Sequence, residues 1–110
     1  MKIEGEAMLL RVFLGESDKQ GGRPLYEVIV EEARRRGLAG ATVLRGMLGF
    51  GANSRIHTAK ILRLSEDLPI VVEIVDRQER VEAILTDLDK MLHEGLITLE
   101  KVRVIAYRHN

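Results

Sequence analysis

The chain has 110 residues, 45% of them hydrophobic, and its 17 basic side chains balance 17 acidic ones. That length fits one domain, since single cores commonly occupy roughly 100–200 residues, and a net charge of zero sets aside nucleic-acid or membrane-surface binding as the main activity. The absence of cysteine removes disulfides, thiolate zinc sites, iron–sulfur ligation and a cysteine nucleophile.

Residues 7–15 read as a first strand, with Met8, Leu10, Val12 and Leu14 on one face. Ala7, Leu9 and Phe13 share the other face, interrupted by Arg11, and apolar residues on both faces predict a central strand. Residues 16–23, with Gly21-Gly22, read as a loop. Pro24 suits a first helical turn, and Leu25, Val28, Ile29 and Ala33 follow at helical spacing. Arg34 to Arg36 favour the negative end of that helix, and Gly37 stops it.

Residues 41–48 alternate as a second strand that ends in Gly49-Phe50-Gly51. Residues 52–60 are polar without a clear period, an apolar pattern restarts over 61–64, and 65–69 read as a turn or bulge. Residues 70–75 are β-branched enough for a buried strand. Asp76 is placed to cap a second helix, whose stripe is Val81, Ile84, Leu85, Leu88 and Leu92 and whose stop is Gly95. Residues 99–107 form a last strand.

The order β-α-β-β-α-β predicts one α/β (α+β) domain over residues 1–110. Its form is a ferredoxin-like sandwich, an antiparallel four-stranded sheet with two helices on one face. The face without helices still carries Leu9, Phe13, Val43, Val71, Val75 and Ile105 on this reading, a surplus that calls for packing against other subunits. No signal peptide is expected, because the apolar run Met8-Leu9-Leu10 stops at Arg11. No stretch approaches the roughly 20 apolar residues of a membrane span. A cytoplasmic location is therefore the expectation.

Five stretches resemble one family: Gly22-Arg23-Pro24-Leu25-Tyr26, Gly40-Ala41-Thr42-Val43-Leu44-Arg45-Gly46, Gly49-Phe50-Gly51, Ser65-Glu66-Asp67-Leu68-Pro69 and Val72-Glu73-Ile74-Val75-Asp76. Together they are similar, essentially end to end, to a PII-like domain of unknown function related to the PII nitrogen-signalling proteins. The resemblance implies a homotrimer that binds adenine nucleotides or other small effectors in clefts between subunits. It also implies a mobile loop after the second strand, about residues 50–60, that meets a partner such as a membrane transporter or another regulated protein. On this resemblance Gly49-Phe50-Gly51 matches the opening of the PII effector loop, and Lys101 the lysine that neutralises phosphate. Ala52 replaces an arginine of that pattern, and Thr98-Leu99-Glu100 replaces its Gly-Asp-Gly. Without those glycine N–H groups to close around a polyphosphate, AMP or ADP is the expected effector, ahead of ATP.

From the residues themselves, Gly49-Phe50-Gly51 is either a hinge that brings backbone close to a ligand or a bulge with Phe50 in the core. Asn53, Ser54, Arg55, His57 and Lys60 are either a binding loop or a solvated one. Arg45 and Glu73 are charges inside apolar strands, and they call for pairing with each other, with Arg11, or with a ligand. Lys101 and Arg103 share one side of the last strand with Tyr107 and offer a positive edge, or simply a charged edge that prevents aggregation. No nucleophile elbow, Walker loop or pair of catalytic carboxylates is present, so an enzyme is not expected. The alternatives are a trimeric metal-binding or metal-tolerance protein using His57 and, behind it, a nucleotide hydrolase using His57.

Overall fold

Strict two-residue alternation is clearest at residues 69–76, where every second side chain is buried. The whole fold is built around that strand and its antiparallel neighbour. The computed structural model describes residues 4–50, 57–58 and 68–109. The elements run β1 (Gly5–Gly15), β2 (Lys19–Gln20), β3 (Arg23–Pro24), α1 (Leu25–Arg35), β4 (Thr42–Arg45) and β5 (Leu48–Gly49). They continue with β6 (His57–Thr58), β7 (Pro69–Asp76), α2 (Gln78–Met91) and β8 (Leu96–Val104). Four strands form one antiparallel sheet in the order β4-β7-β1-β8. β2–β3 and β5–β6 are two short hairpins outside it. The expected β-α-β-β-α-β architecture with both helices on one face is what the chain adopts.

The core lies between that sheet and the helices. Leu10, Val12 and Leu14 of β1 and Ile70, Val72 and Ile74 of β7 meet Leu25, Ile29 and Ala33 of α1 and Val81, Ile84 and Leu88 of α2. Side chains of this size contribute about 1.5–3 kcal/mol each on full burial, so this one cluster dominates stability. Among the described residues no helix is long and apolar enough to cross a membrane.

Several local expectations are corrected. The 16–23 connection is a tight hairpin: Gly21 and Gly22 both adopt positive φ (59° and 79°), the turn that matches strand twist. Pro24 is the cap residue of α1 and not its first helical residue. The second strand is broken between β4 and β5, where the Gly46 N–H donates to Pro69 O at 2.7 Å. Asp76 does not cap α2: Arg77 holds that position, without a side-chain cap bond. Gly95 does not end α2 either, since the helix stops at Met91. A Cβ at Gly95 would lie 2.3 Å from the Phe13 carbonyl oxygen, so glycine there permits the close entry of β8 beside β1. β8 itself starts and ends three residues before the expected 99–107.

Register settles the face away from the helices. Leu9 pairs with Val75 and Phe13 with Val71, which places these four residues on that face as expected. Val43 pairs instead with the buried Val72, while Leu44 pairs with Val71. The expected place of Val43 on the open face is therefore taken by Leu44. Ile105 lies beyond the strand and is 76% exposed.

Candidate functional site

Small residues leave room. The connection from α1 ends in Ala39-Gly40-Ala41 and leads into Thr42 of β4, and beside it the open face carries Glu73 and Val75 of β7. Val104, Ala106 and Tyr107 come from the end of β8 and the tail beyond it. Together these residues line a cleft of about 310 Å³. The tail, having left the β8 ladder at Val104, reaches from one sheet edge towards the other: the Tyr107 hydroxyl donates to the Ala39 carbonyl at 2.7 Å.

The wall at Ala39 is fixed from behind as well. Its N–H donates to Oδ2 of Asp76 at 2.9 Å, and Asp76 is fully buried. Asp76 also accepts from the Arg77 N–H at 2.7 Å and from Arg80 Nε at 3.2 Å. Arg80 in turn donates to the Gly37 carbonyl. A buried carboxylate must be satisfied in this way, and the result is a stiff link between α2 and the cleft wall. Arg36 adds a second link by donating to the Ala83 carbonyl at 3.0 Å and pairing with Asp87.

Glu73 brings negative charge to the cleft. Arg11 Nε donates to it at 2.9 Å, and Arg11 Nη1 donates to Glu100 at 3.0 Å. The Glu73 hydrogen bond, followed by that of Glu100, raises the Arg11 guanidinium above its ordinary value. Of the described residues lining the cleft, none is basic and Tyr107 is the one aromatic. The slot is thus apolar, with a carboxylate acceptor at its side. It suits a flat neutral ring bearing N–H donors better than a phosphate.

The other end of β4 leads to the expected loop. Arg45 pairs with Glu16 at the end of β1, not with Glu73, which has Arg11 as its partner. A Cβ on Gly46 would sit 2.7 Å from Pro69 Cγ, and one on Gly49 3.1 Å from it. Both glycines therefore let the loop stem press onto β7. Gly49 pairs with His57 in the β5–β6 hairpin. Phe50 is 69% exposed, which rules out its placement in the core. Gly51, Asn53, Ser54, Arg55 and Lys60 lie outside the described residues.

Lys101 and Arg103 are exposed on β8. Their register partners, Met8 and Glu6, put them on the face opposite to Val104 and the cleft. Tyr107 does not share their side, because the strand ends before it. The structure thus gathers Glu73 and Tyr107 in one cleft, and leaves Arg45 and the Gly49-Phe50 stem at the opposite end of β4. Among the described residues, no three histidine or acidic side chains converge as metal ligands would. Ala39, Ala41, Val75, Val104 and Ala106 carried no chemical signal of their own; the run of small residues at 39–41 was the clue that the sequence held.

The family model DUF190, described as Uncharacterized ACR, COG1993, matches residues 7–104. The chain is 44% identical over 97 residues to a UPF0166 protein of Aquifex aeolicus, covering 88% of this chain and 91% of the relative. It is 34% identical over 100 residues to the UPF0166 protein MJ1524 of Methanocaldococcus jannaschii, covering 90% and 92%. Among solved structures it is similar to CPII, a nitrogen regulatory PII-like protein from Thiomonas intermedia K12, bound to ADP, AMP and bicarbonate. That likeness has a TM-score of 0.70 at 18% identity and covers 90% of this chain and 88% of the other. The apo form of CPII gives 0.61 at 17% identity, with 90% and 91% covered. The likeness establishes a PII-like fold.

Proposed function

The chain belongs to the DUF190 (UPF0166) family and has a PII-like fold, and from that premise we propose that it is a non-enzymatic regulatory protein that binds an adenine nucleotide, AMP or ADP ahead of ATP. The observation that carries this reading is the cleft of Ala39, Thr42, Glu73, Val75 and Tyr107, a slot for an uncharged ring with no basic group among its described residues. The binding of ADP and AMP by CPII, a protein of the same fold, supports it.

With no cation among the described residues of the slot, the phosphates point out of it. Lys101 and Arg103, on the other side of the sheet, meet them from a neighbouring copy in a homotrimer. Exposed apolar residues at the sheet edges, Leu44 at 47% and Leu96 at 55%, support such an assembly. Thr98, Leu99 and Glu100 are extended and paired with β1, so no glycine turn wraps a polyphosphate ahead of Lys101. That is the reason for placing AMP and ADP ahead of ATP. The segment of residues 50–60, carried on the β5–β6 stem, is the part that a partner protein reads.

Calorimetry on the purified chain with AMP, ADP and ATP tests the proposal, with light scattering for assembly. AMP or ADP is expected to bind at least about ten-fold tighter than ATP, to a trimer, with no nucleotide turnover. Absence of heat with all three nucleotides would sink it.

A further inference from the structure

The C-terminal tail does more than pass the cleft. Residues 105–109 have no regular secondary structure, yet Tyr107 is tied by its hydroxyl to the Ala39 carbonyl, 68 positions away in sequence. That anchor is not a yielding one. The same residue's N–H is held by Asp76, which is fully buried, so Ala39 is fixed on both sides and the phenol ring is fixed with it. The His109 ring lies beside it, with centroids 5.6 Å apart at 52°.

The cleft of about 310 Å³ exists with Tyr107 in place. The ring is therefore a wall that stays, not a plug that must leave. Facing residues such as Gly40, Ala41 and Val75 are small enough to leave a slot for a flat ring, and among the described residues its one aromatic surface belongs to Tyr107. Glu73, steadied by Arg11 at 2.9 Å, has lone pairs left with which to accept from an amino group.

We infer that Tyr107 is the stacking residue for the base of the bound nucleotide, and that its hydroxyl bond to Ala39 sets the ring at the angle the base requires. This rests on the nucleotide-binding reading above and adds to it a residue on a segment that the strand pattern had assigned to the positive edge. Stacking is indifferent to phosphate number. Loss of the ring therefore weakens adenosine and AMP by one common factor, whereas loss of a phosphate contact spares adenosine.

The test is binding of adenosine and of AMP to wild type, Tyr107→Leu and Tyr107→Phe, each first checked for fold by circular dichroism and for assembly by light scattering. Tyr107→Leu is expected to weaken both ligands equally, by roughly ten-fold or more, the scale of one base–aromatic stack. Tyr107→Phe keeps the ring and loses its tether, and a smaller loss of about two- to five-fold is expected for both ligands. Should Tyr107→Leu fail to fold, Tyr107→Phe with tyrosine emission carries the test. The chain has two tyrosines and no tryptophan, so stacking quenches emission in Tyr26→Phe, which retains Tyr107, and leaves it unchanged in Tyr107→Phe/Tyr26-containing protein. Equal affinity of wild type and Tyr107→Leu, a loss confined to AMP, or quenching that persists when only Tyr26 is left overturns the assignment. Failure of the nucleotide reading itself shows differently: wild type then binds neither adenosine nor AMP.

Discussion

The two faces of the sheet use the same strands and nearly the same kinds of residue, yet they end in opposite states. On the helix side Leu10, Val12, Val72 and Ile74 are at most 1% exposed. On the other side one row of register partners reads Leu44, Val71, Phe13, Leu96, and the next reads Thr42, Glu73, Arg11, Thr98. Across its central rows the first face is apolar, and its charged residues, Asp76, Lys101 and Arg103 among them, lie towards the strand ends. The second alternates apolar rows with an ion pair, and its far end opens into the cleft. The difference teaches where each job sits: apolar burial across the central rows secures the fold, while the face whose centre holds an ion pair is suited to contacts that must choose a partner. A charge pair inside an apolar face penalises the wrong register more than it rewards the right one.

The most forceful way to break that comparison is to truncate adjacent leucines on the two faces. Leu10→Ala removes a fully buried side chain and is expected to lower unfolding free energy by about 2–5 kcal/mol. Leu9→Ala removes the same atoms from the half-buried open face and is expected to cost only about 1 kcal/mol in the isolated chain. Urea denaturation at several protein concentrations separates the two. The Leu9→Ala cost should grow with concentration if another copy covers that face, and the Leu10→Ala cost should change less. Equal costs at low concentration would remove the distinction between the faces.

The same contrast explains what could be read from the sequence. Strands β1 and β7 and helix α2 were legible because each has a buried face, so burial writes a period of two or of 3.6 into the residues. β4 was legible as a strand but not in register. All four of its residues are exposed, so neither side imposes a pattern, and a slip of one position exchanges Val43 with Leu44. Asp76 was visible as a polar residue at a helix start. Its link to Ala39 was not, because that bond joins segments 37 positions apart. Tyr107 was misplaced for a related reason: the period of two carries on through 105–107 in sequence, while the pairing with β1 stops where Val104 meets Gly5, at the start of that strand. The cleft was the least legible feature, since it is made of side chains that are small.

A milder change sharpens the comparison by acting on association alone. Leu44 is 47% exposed on an edge strand, so Leu44→Asp should alter the stability of the isolated chain by no more than about 0.5 kcal/mol. A carboxylate in an apolar contact is a different matter, being costly to desolvate. Sedimentation is expected to show the proposed trimer replaced by smaller species. An unchanged sedimentation coefficient would place the association surface elsewhere and leave the open face without a role in assembly.

The smallest expected effect concerns the outer surface of the helix layer, where Glu32 is shared by Arg36 and Arg35. Arg36 Nε donates to its carboxylate at 2.7 Å, and Arg36 first, then Arg35, holds the Glu32 carboxyl below its ordinary value. A lowered value in the folded chain means that the charged form stabilises the fold. That contribution is complete above the unfolded value of about 4.3 and disappears as pH falls through the folded value. Thermal midpoints measured downward from pH 6 should therefore fall slightly more in wild type than in Glu32→Gln, with the difference opening below about pH 5. Neighbouring pairs on a helix surface contribute only about 0.3–0.5 kcal/mol each, far less than Leu10→Ala removes. If the two profiles coincide down to pH 3, the ion pairs of the helix layer contribute nothing measurable, and packing beneath the helices accounts for the stability of that side. The contrast between the two sides would then be sharper: on the helix side apolar contact would outweigh the ion pairs of Glu32, while on the open face Arg11 and Glu73 still interrupt the apolar rows.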